Sequence, residues 1–226
     1  LPFQVDNTLR KAINKGEVMF IDQHLSETVE QMRNLQLKKP DVAVIEAVAI
    51  TEDGGIIPTT SVGNSASFAI FAEKVIVEIN TNLSPAFEGL HDIYIPTYRP
   101  TRQPIPLTQV DERIGTHAIN IDPAKIVGIV INNDLHDSPS TVTAPDDETQ
   151  GIADHLIAFF EKEVAEERLP KNLGPLQAGI GSIANAVLTG LKDSNFEDLV
   201  MYSDVLHDCT FALIDAAKMN FAPGSS

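Results

Sequence analysis

The sequence has one cysteine and no tryptophan, and it sets only 16 lysines and arginines against 32 aspartates and glutamates. A single thiol, Cys209, excludes an internal disulfide and fits a reducing compartment. A formal net charge of -16 argues against nucleic-acid binding, because phosphates are held by a basic face. It leaves room for a small anionic ligand, whose binding depends on local field rather than on the total. No apolar stretch is long enough to span a bilayer, so a membrane partner is not expected, and the cytoplasm is the expected location, or the mitochondrion in a eukaryote. The opening stretch LPFQVDNTLRKAINKGE lacks the apolar core of a signal peptide, and Leu1 stands where an initiator Met would. Leu1 is therefore not expected to be a natural beginning. The six histidines, at 24, 91, 117, 136, 155 and 207, show no paired spacing with cysteine and no H-x-x-x-H, so no metal site is expected.

What is present is enough apolar material for a real core: 43% of 226 residues, suited to one large domain or to parts of two. Residues 7–16 read as a short helix stopped by Gly16, EVMFIDQHL as a short strand and turn, and SETVEQMRNLQL as a helix with a serine cap. DVAVIEAVAI (41–50) is apolar except for Glu46, which suits a strand covered on both faces; VIVEIN (75–80) reads as another buried strand, and KIVGIVIN (125–132) as a strand. Between the first two lie a turn-rich stretch, 51–65, and a helix over 65–74 capped by Asn64 or Ser65. Strand, helix and strand in alternation predict a parallel α/β arrangement. Residues 81–115 carry five prolines and are expected to cross the surface in extended segments.

The sharpest change in composition is NDLHDSPSTVTAPDDETQ (133–150), read as a linker or long crossover. Beyond it, residues 146–170 form the strongest helical pattern, with acids in the first turn and Pro170 at the end. Then follow a glycine turn, a helix over 182–191, a strand over 198–204 and a last helix near 207–218.

Two features of this second half carry chemistry. Gly179, Gly181 and Ala184 fit G-x-G-x-x-A, and Asp204 follows about two dozen residues later at a strand end. In a dinucleotide fold such an acid grips a ribose hydroxyl. That reading needs a strand running into the first glycine, and RLPKNLGPLQA offers no room for five buried residues. In the second reading, the bare backbone and the following helix N-terminus hold a phosphate, and Asp204 faces the ligand as a covalent nucleophile. Two plainer roles stand beside these: a tight turn for the glycines, and a helix cap for Asp204. Spacing alone leaves the choice open.

At these residues the sequence resembles the acetyl-CoA hydrolase/transferase family, the class I CoA-transferases. The stretches that carry the resemblance are DVAVIEAVAITEDGGIIPTTSVGNS, VIVEIN, EGLHDI, DERIG, LPKNLGPLQAGIGSIANAVLTGL and MYSDVLHD, in the family's order over nearly the whole chain. The resemblance implies an α/β, parallel-sheet CoA-transferase-like (NagB/RpiA-like) fold, with the latter part of a first domain over 1–135, a linker over 136–147 and the start of a second domain over 148–226. It implies an enzyme of acetate-type metabolism whose strand-end carboxylate, here Asp204, attacks an acyl-CoA thioester and then carries CoA as an enzyme-linked thioester to a second acid, or to water. It places Gly179, Ile180, Gly181, Ser182 and Ile183 on the CoA. Coenzyme A is then a substrate, with no permanently bound cofactor. The implied partners are an acyl-CoA, a carboxylic acid, flanking segments of the same fold and further copies of the chain.

The match departs from the pattern where the chemistry lies. Asp204 replaces the usual glutamate, His207 the usual glutamine, Cys209 the usual glycine, and Ser182 stands where asparagine is commoner. Losing one methylene withdraws the nucleophile by roughly 1.5 Å. The resemblance also implies a further second-domain segment that helps bind CoA and stabilise the developing oxyanion, so the isolated chain is expected to be weak or inactive, and a degenerate homologue that keeps only the fold is the non-catalytic alternative. Among lesser candidates, His207 would serve as a general base for water or lie on the surface in a first helical turn. Arg99 and Arg102 would reach a CoA phosphate or remain loop residues. Cys209 would have its pKa lowered by a helix dipole or sit buried as a small apolar residue. Ser61 and Asn64 match a family stretch near the acyl site, or act as a cap.

Overall fold

The computed structural model describes residues 7–223, apart from Ser61, 134–144, Ile180 and the side chain of Leu25. It divides into two compact units, one from Leu1–Ile105 with Ile114–Ser140, the other from Pro106–Arg113 with Thr141–Ser226. Of the 136–147 linker, residues 136–144 lie outside the described residues, and Asp146 and Asp147 already open the helix that follows. The segment Pro106–Arg113, inside the range 1–135, clusters with the second unit.

In the first unit, α1 (Asn7–Asn14) and α2 (Leu25–Arg33) precede β1 (Val42–Ile50). Residues 17–24 form no strand: the apolar run at Val18–Ile21 joins no ladder among the described residues, and a strand exists only through a neighbour that pairs its backbone. The helix α2 opens two residues early, with His24 rather than Ser26 at its N-cap position, so Ser26 lies inside it. β1 then pairs antiparallel with β2 (Ile56–Pro58) and parallel with β3 (Lys74–Asn80), which pairs parallel with β4 (Ile126–Asn132); the sheet order is β2-β1-β3-β4. Helix α3 (Ser65–Phe71) bridges β2 and β3, and its Asn64 makes no side-chain cap bond.

Ala43, Ile45, Ala47, Val75 and Val77 bury one face of this sheet against Ala66, Ala69 and Ala72. The other face is not covered as an unbroken apolar run predicts. Val44 is exposed in β1, and β4 leaves Val127, Ile129, Val130 and Ile131 exposed, the last by 66%. An apolar run records only that no polar group was placed there; which element covers it is decided elsewhere in the chain.

The stretch EGLHDI meets Ile114 and Gly115, the end of DERIG, in this unit. The Asp92 carboxylate accepts from the N–H of Ile114 at 3.1 Å and of Gly115 at 2.6 Å, and Ile93 bridges to Thr116. The prolines of residues 81–115 therefore mark an irregular crossing tied down at its ends. Arg33 holds its middle, donating to the Pro96 carbonyl at 2.9 Å and to Glu30 while lying over the Tyr98 ring.

In the second unit, α4 (Asp147–Ala165) opens on a capping box: Asp146 accepts from the Thr149 N–H, and the Thr149 side chain accepts from the Asp146 N–H. These bonds hold the Asp146 carboxyl below its ordinary range. The helix stops five residues before Pro170, with Glu167 in a left-handed conformation, so the proline follows the stop rather than imposing it. β5 (Pro175–Leu176), α5 (Ser182–Asp193), β6 (Leu199–Met201), α6 (Asp208–Asp215) and β7 (Met219–Phe221) then alternate into a three-stranded parallel sheet ordered β5-β6-β7. Leu188, Leu191, Leu199, Met201 and Leu213 form its core, with Ile157, Phe160 and Val164 of α4 packed on it. Gly190 lets α4 approach α5 closely, since a Cβ there would lie 2.5 Å from the Ile157 side chain. No helix among the described residues is long and apolar enough to cross a membrane.

Candidate functional site

The parallel pairing of β5 with β6 decides what stands beside what. Both strands end on the same edge, where ligands of open α/β sheets collect. From the end of β5 the chain passes through Gln177 and Ala178 into the glycine turn; from the end of β6 it passes through Tyr202 and Ser203 to Asp204. Ser203 is 1% exposed and joins the two: its hydroxyl donates to the Ala178 carbonyl at 3.1 Å and accepts from the Ala178 N–H at 3.5 Å. Above this buried link the carboxylate of Asp204 is exposed. Its Oδ1 accepts from Gln177 Nε2 at 3.4 Å and from the Val205 N–H at 3.0 Å.

Asp204 is therefore beside the glycine turn and does not cap the next helix. That helix, α6, begins four residues later with His207 at the N-cap position. The turn is as bare as its sequence predicts. A Cβ at Gly179 or Gly181 would meet nothing within 4 Å, and Gly181, the N-cap of α5, sits at φ 154° and ψ 166°, a region open essentially to glycine alone. Ser182 is half-buried and Ile183 exposed in the first turn of α5, whose leading N–H groups have no acceptor within the helix. Ile180 lies outside the described residues. A two-residue strand runs towards the turn, with Pro175 as its first residue, and it is shorter than the five buried residues that a dinucleotide motif needs.

Two further side chains complete the surroundings: His207 corrects the expectation of a surface position, and Cys209 packs partly buried against the core, the second of the two roles expected for it. His207 is not on the surface: it is 8% exposed, and its Nδ1 lies 2.5 Å from Oδ1 of Asn185 in α5. The Cys209 thiol donates to the same oxygen at 3.8 Å, and burial pushes its pKa up, against the direction a helix dipole alone would give. Gln177, Ser203 and Asn185 carried no signal in the sequence beyond lying inside or beside the quoted stretches. Tyr202 lines a recess of about 180 Å³ with Leu107, Thr108, Gln109 and Val110, which bring part of the proline-rich crossing to the edge of the sheet.

The other candidates lie in the first unit. Arg99 is exposed, and Arg102 reaches Glu30 at 3.5 Å. Ser61 lies outside the described residues. Among the described residues no group of three or more His, Cys, Asp or Glu gathers as a metal site. What the sequence hinted at only as an oddity, Glu46 in an apolar run, proves to be an anchor. Its carboxylate accepts from Asn80 Nδ2 at 2.8 Å and from the buried Thr59 hydroxyl at 2.9 Å, tying the strand ends to the start of the TTSVGNS stretch. Glu46→Ala removes an acceptor from both buried groups and is expected to cost about 1–3 kcal/mol. Urea unfolding checks it, with Glu46→Gln, which keeps one acceptor oxygen, expected to lose less.

Comparison with known proteins follows this geometry. Residues 1–131 match the model of the acetyl-CoA hydrolase/transferase N-terminal domain. The chain belongs to this family. An acetyl-CoA hydrolase of Schizosaccharomyces pombe is 46% identical over 231 residues, covering 100% of this chain and 44% of that protein. A succinyl-CoA:acetate CoA-transferase of Clostridium kluyveri is 44% identical over 226 residues, covering 100% and 42%. The chain of this acetyl-CoA hydrolase/transferase family member thus spans less than half the length of the curated relatives it matches. In fold it is similar to RipA from Yersinia pestis, with a TM-score of 0.61 at 17% identity over 96% of this chain and 45% of that one. A 4-hydroxybutyrate CoA-transferase from Porphyromonas gingivalis gives 0.56 at 19%, over 96% and 44%. The α/β, parallel-sheet fold expected from the sequence is the fold of these neighbours.

Proposed function

We propose that this chain supplies the nucleophile and the CoA-holding turn of an enzyme that transfers CoA between an acyl-CoA and a short carboxylic acid of the acetate or succinate type. The observation that carries the reading is the exposed Asp204 carboxylate, hydrogen-bonded to Gln177 at the entrance to an open glycine turn. An Asp204 oxygen attacks the thioester carbonyl, forming an acyl-aspartyl anhydride and releasing CoA thiolate. The thiolate attacks the aspartyl carbonyl of that anhydride, releasing the first acid and leaving an Asp204–CoA thioester. A second carboxylate repeats the sequence in reverse. One thioester replaces another, so the exchange is close to isoenergetic and splits a difficult step into easier ones.

The turn suits the carrier because its glycines let a ligand approach the backbone, and the α5 N-terminus offers N–H donors and the positive dipole end to phosphate. A net charge of -16 then matters little, since the binding field is local. Family membership favours this use of the turn over a dinucleotide site. Relatives bear both hydrolase and transferase names, and the same Asp204–CoA thioester serves a hydrolase if water takes the place of the second acid.

Intact mass after incubation with acetyl-CoA tests the reading. The protein is expected to gain one CoA, and Asp204→Asn to gain none while still binding CoA. An adduct that persists in Asp204→Asn overturns it. Release of free CoA with and without added succinate separates transfer from hydrolysis.

A further inference from the structure

We propose that the hydrogen bond between His207 and Asn185 is a positioning device that fixes Asp204 relative to the glycine turn; this rests on Asp204 being the nucleophile. Asp204 lies in the six-residue connection between β6 and α6. Such a connection is mobile unless tied, and a misplacement of about 1 Å at a reacting atom can cost on the order of a hundredfold in rate. This one is tied at both ends. Upstream, Ser203 bonds to Ala178, just before the glycine turn. Downstream, His207 bonds to Asn185, in the helix that the turn opens. The two anchors flank Asp204 on its own segment and flank Gly179–Ser182 on the other, so together they set the gap between carboxylate and turn.

Burial makes both ties durable. Asn185 is 7% exposed and His207 8%, so no bulk water competes for the bond, which is short at 2.5 Å. Asn185 is held in place in turn, since its Oδ1 also accepts from the Cys209 thiol in the first turn of α6. Among the described residues the buried Nε2 of the same histidine finds no hydrogen-bond partner, so the ring is held through Nδ1.

The test measures the rate of CoA-adduct formation at saturating acetyl-CoA, and CoA affinity separately, in the full chain. His207→Leu keeps the volume and removes the donor; His207→Asn keeps an N–H near the position of Nδ1. The Leu variant is expected to slow adduct formation about tenfold or more while CoA affinity changes by less than about threefold, with the Asn variant restoring most of the rate. Combining His207→Leu with Asn185→Ala is expected to slow the step no further than the worse single variant, since one bond is lost only once. Ser203→Ala, which cuts the upstream anchor, is expected to reproduce the kinetic defect, and it carries the test if His207→Leu does not fold. Unchanged rates, equal loss in the Leu and Asn variants, or multiplying losses in the double variant each overturn the inference. Asp204→Asn, run alongside, separates the two ideas. If it still forms the adduct, the nucleophile reading fails; if it forms none and the His207 variants react normally, only the positioning role fails.

Discussion

Asp204→Glu is expected to speed CoA-adduct formation by about a hundredfold at saturating acetyl-CoA. The extra methylene carries the carboxylate oxygens outward by roughly 1.5 Å, restoring the reach that the resemblance implies for the family's usual glutamate. The backbone at 204 is fixed by Ser203 on one side and His207 on the other, so the added length is not absorbed by a shift of the loop. The side chain is exposed, so a longer one meets no packed core. Rapid-quench mass measurement gives the rate, and a melting temperature within a degree or two of the parent shows that only the reach has changed. A slower or unchanged rate means that the surroundings have been rebuilt around the shorter acid, with His207 and Cys209 the first places to look.

The second large effect is expected at Gly181. Its φ of 154° with ψ 166° lies where other residues are strained by about 1–3 kcal/mol. A Cβ there meets open space, so Gly181→Ala tests backbone strain with no steric contribution from the protein. Relieving that strain tilts the first turn of α5 and its N–H groups, and CoA affinity is expected to fall about tenfold. Gly179→Ala is the comparison, because Gly179 has no positive φ and equally open surroundings. Its fold is expected to be unchanged, so any loss of affinity there reports how closely the ligand approaches the backbone. Calorimetric titration with CoA distinguishes the two variants; equal tight binding by both removes the turn from the CoA site.

The sequence was most informative where a pattern is long. β1, β3 and β4 were legible as apolar runs, and α4 as a helical period with acids at its start. The three short strands β2, β5 and β7 were not, because two or three residues carry no periodicity; each exists because a neighbouring strand supplies the other half of its ladder. The same limit applies to the candidate site. Asp204 and the glycines stand out by type and spacing, whereas Gln177, Ser203, Asn185 and His207 are ordinary polar residues until two strands are laid side by side.

By itself, then, the sequence determined the chemical materials of this protein and their order: an acid at a strand end, a bare turn before a helix, an α/β alternation and a family. The tertiary structure alone decided which groups meet. Parallel pairing of β5 and β6 brings residues about 25 positions apart to one edge, buries Ser203 and His207 as ties, and leaves Asp204 in the open. Those outcomes depend on contacts distant in the chain, where burial and hydrogen bonding are settled by neighbours that local sequence does not specify.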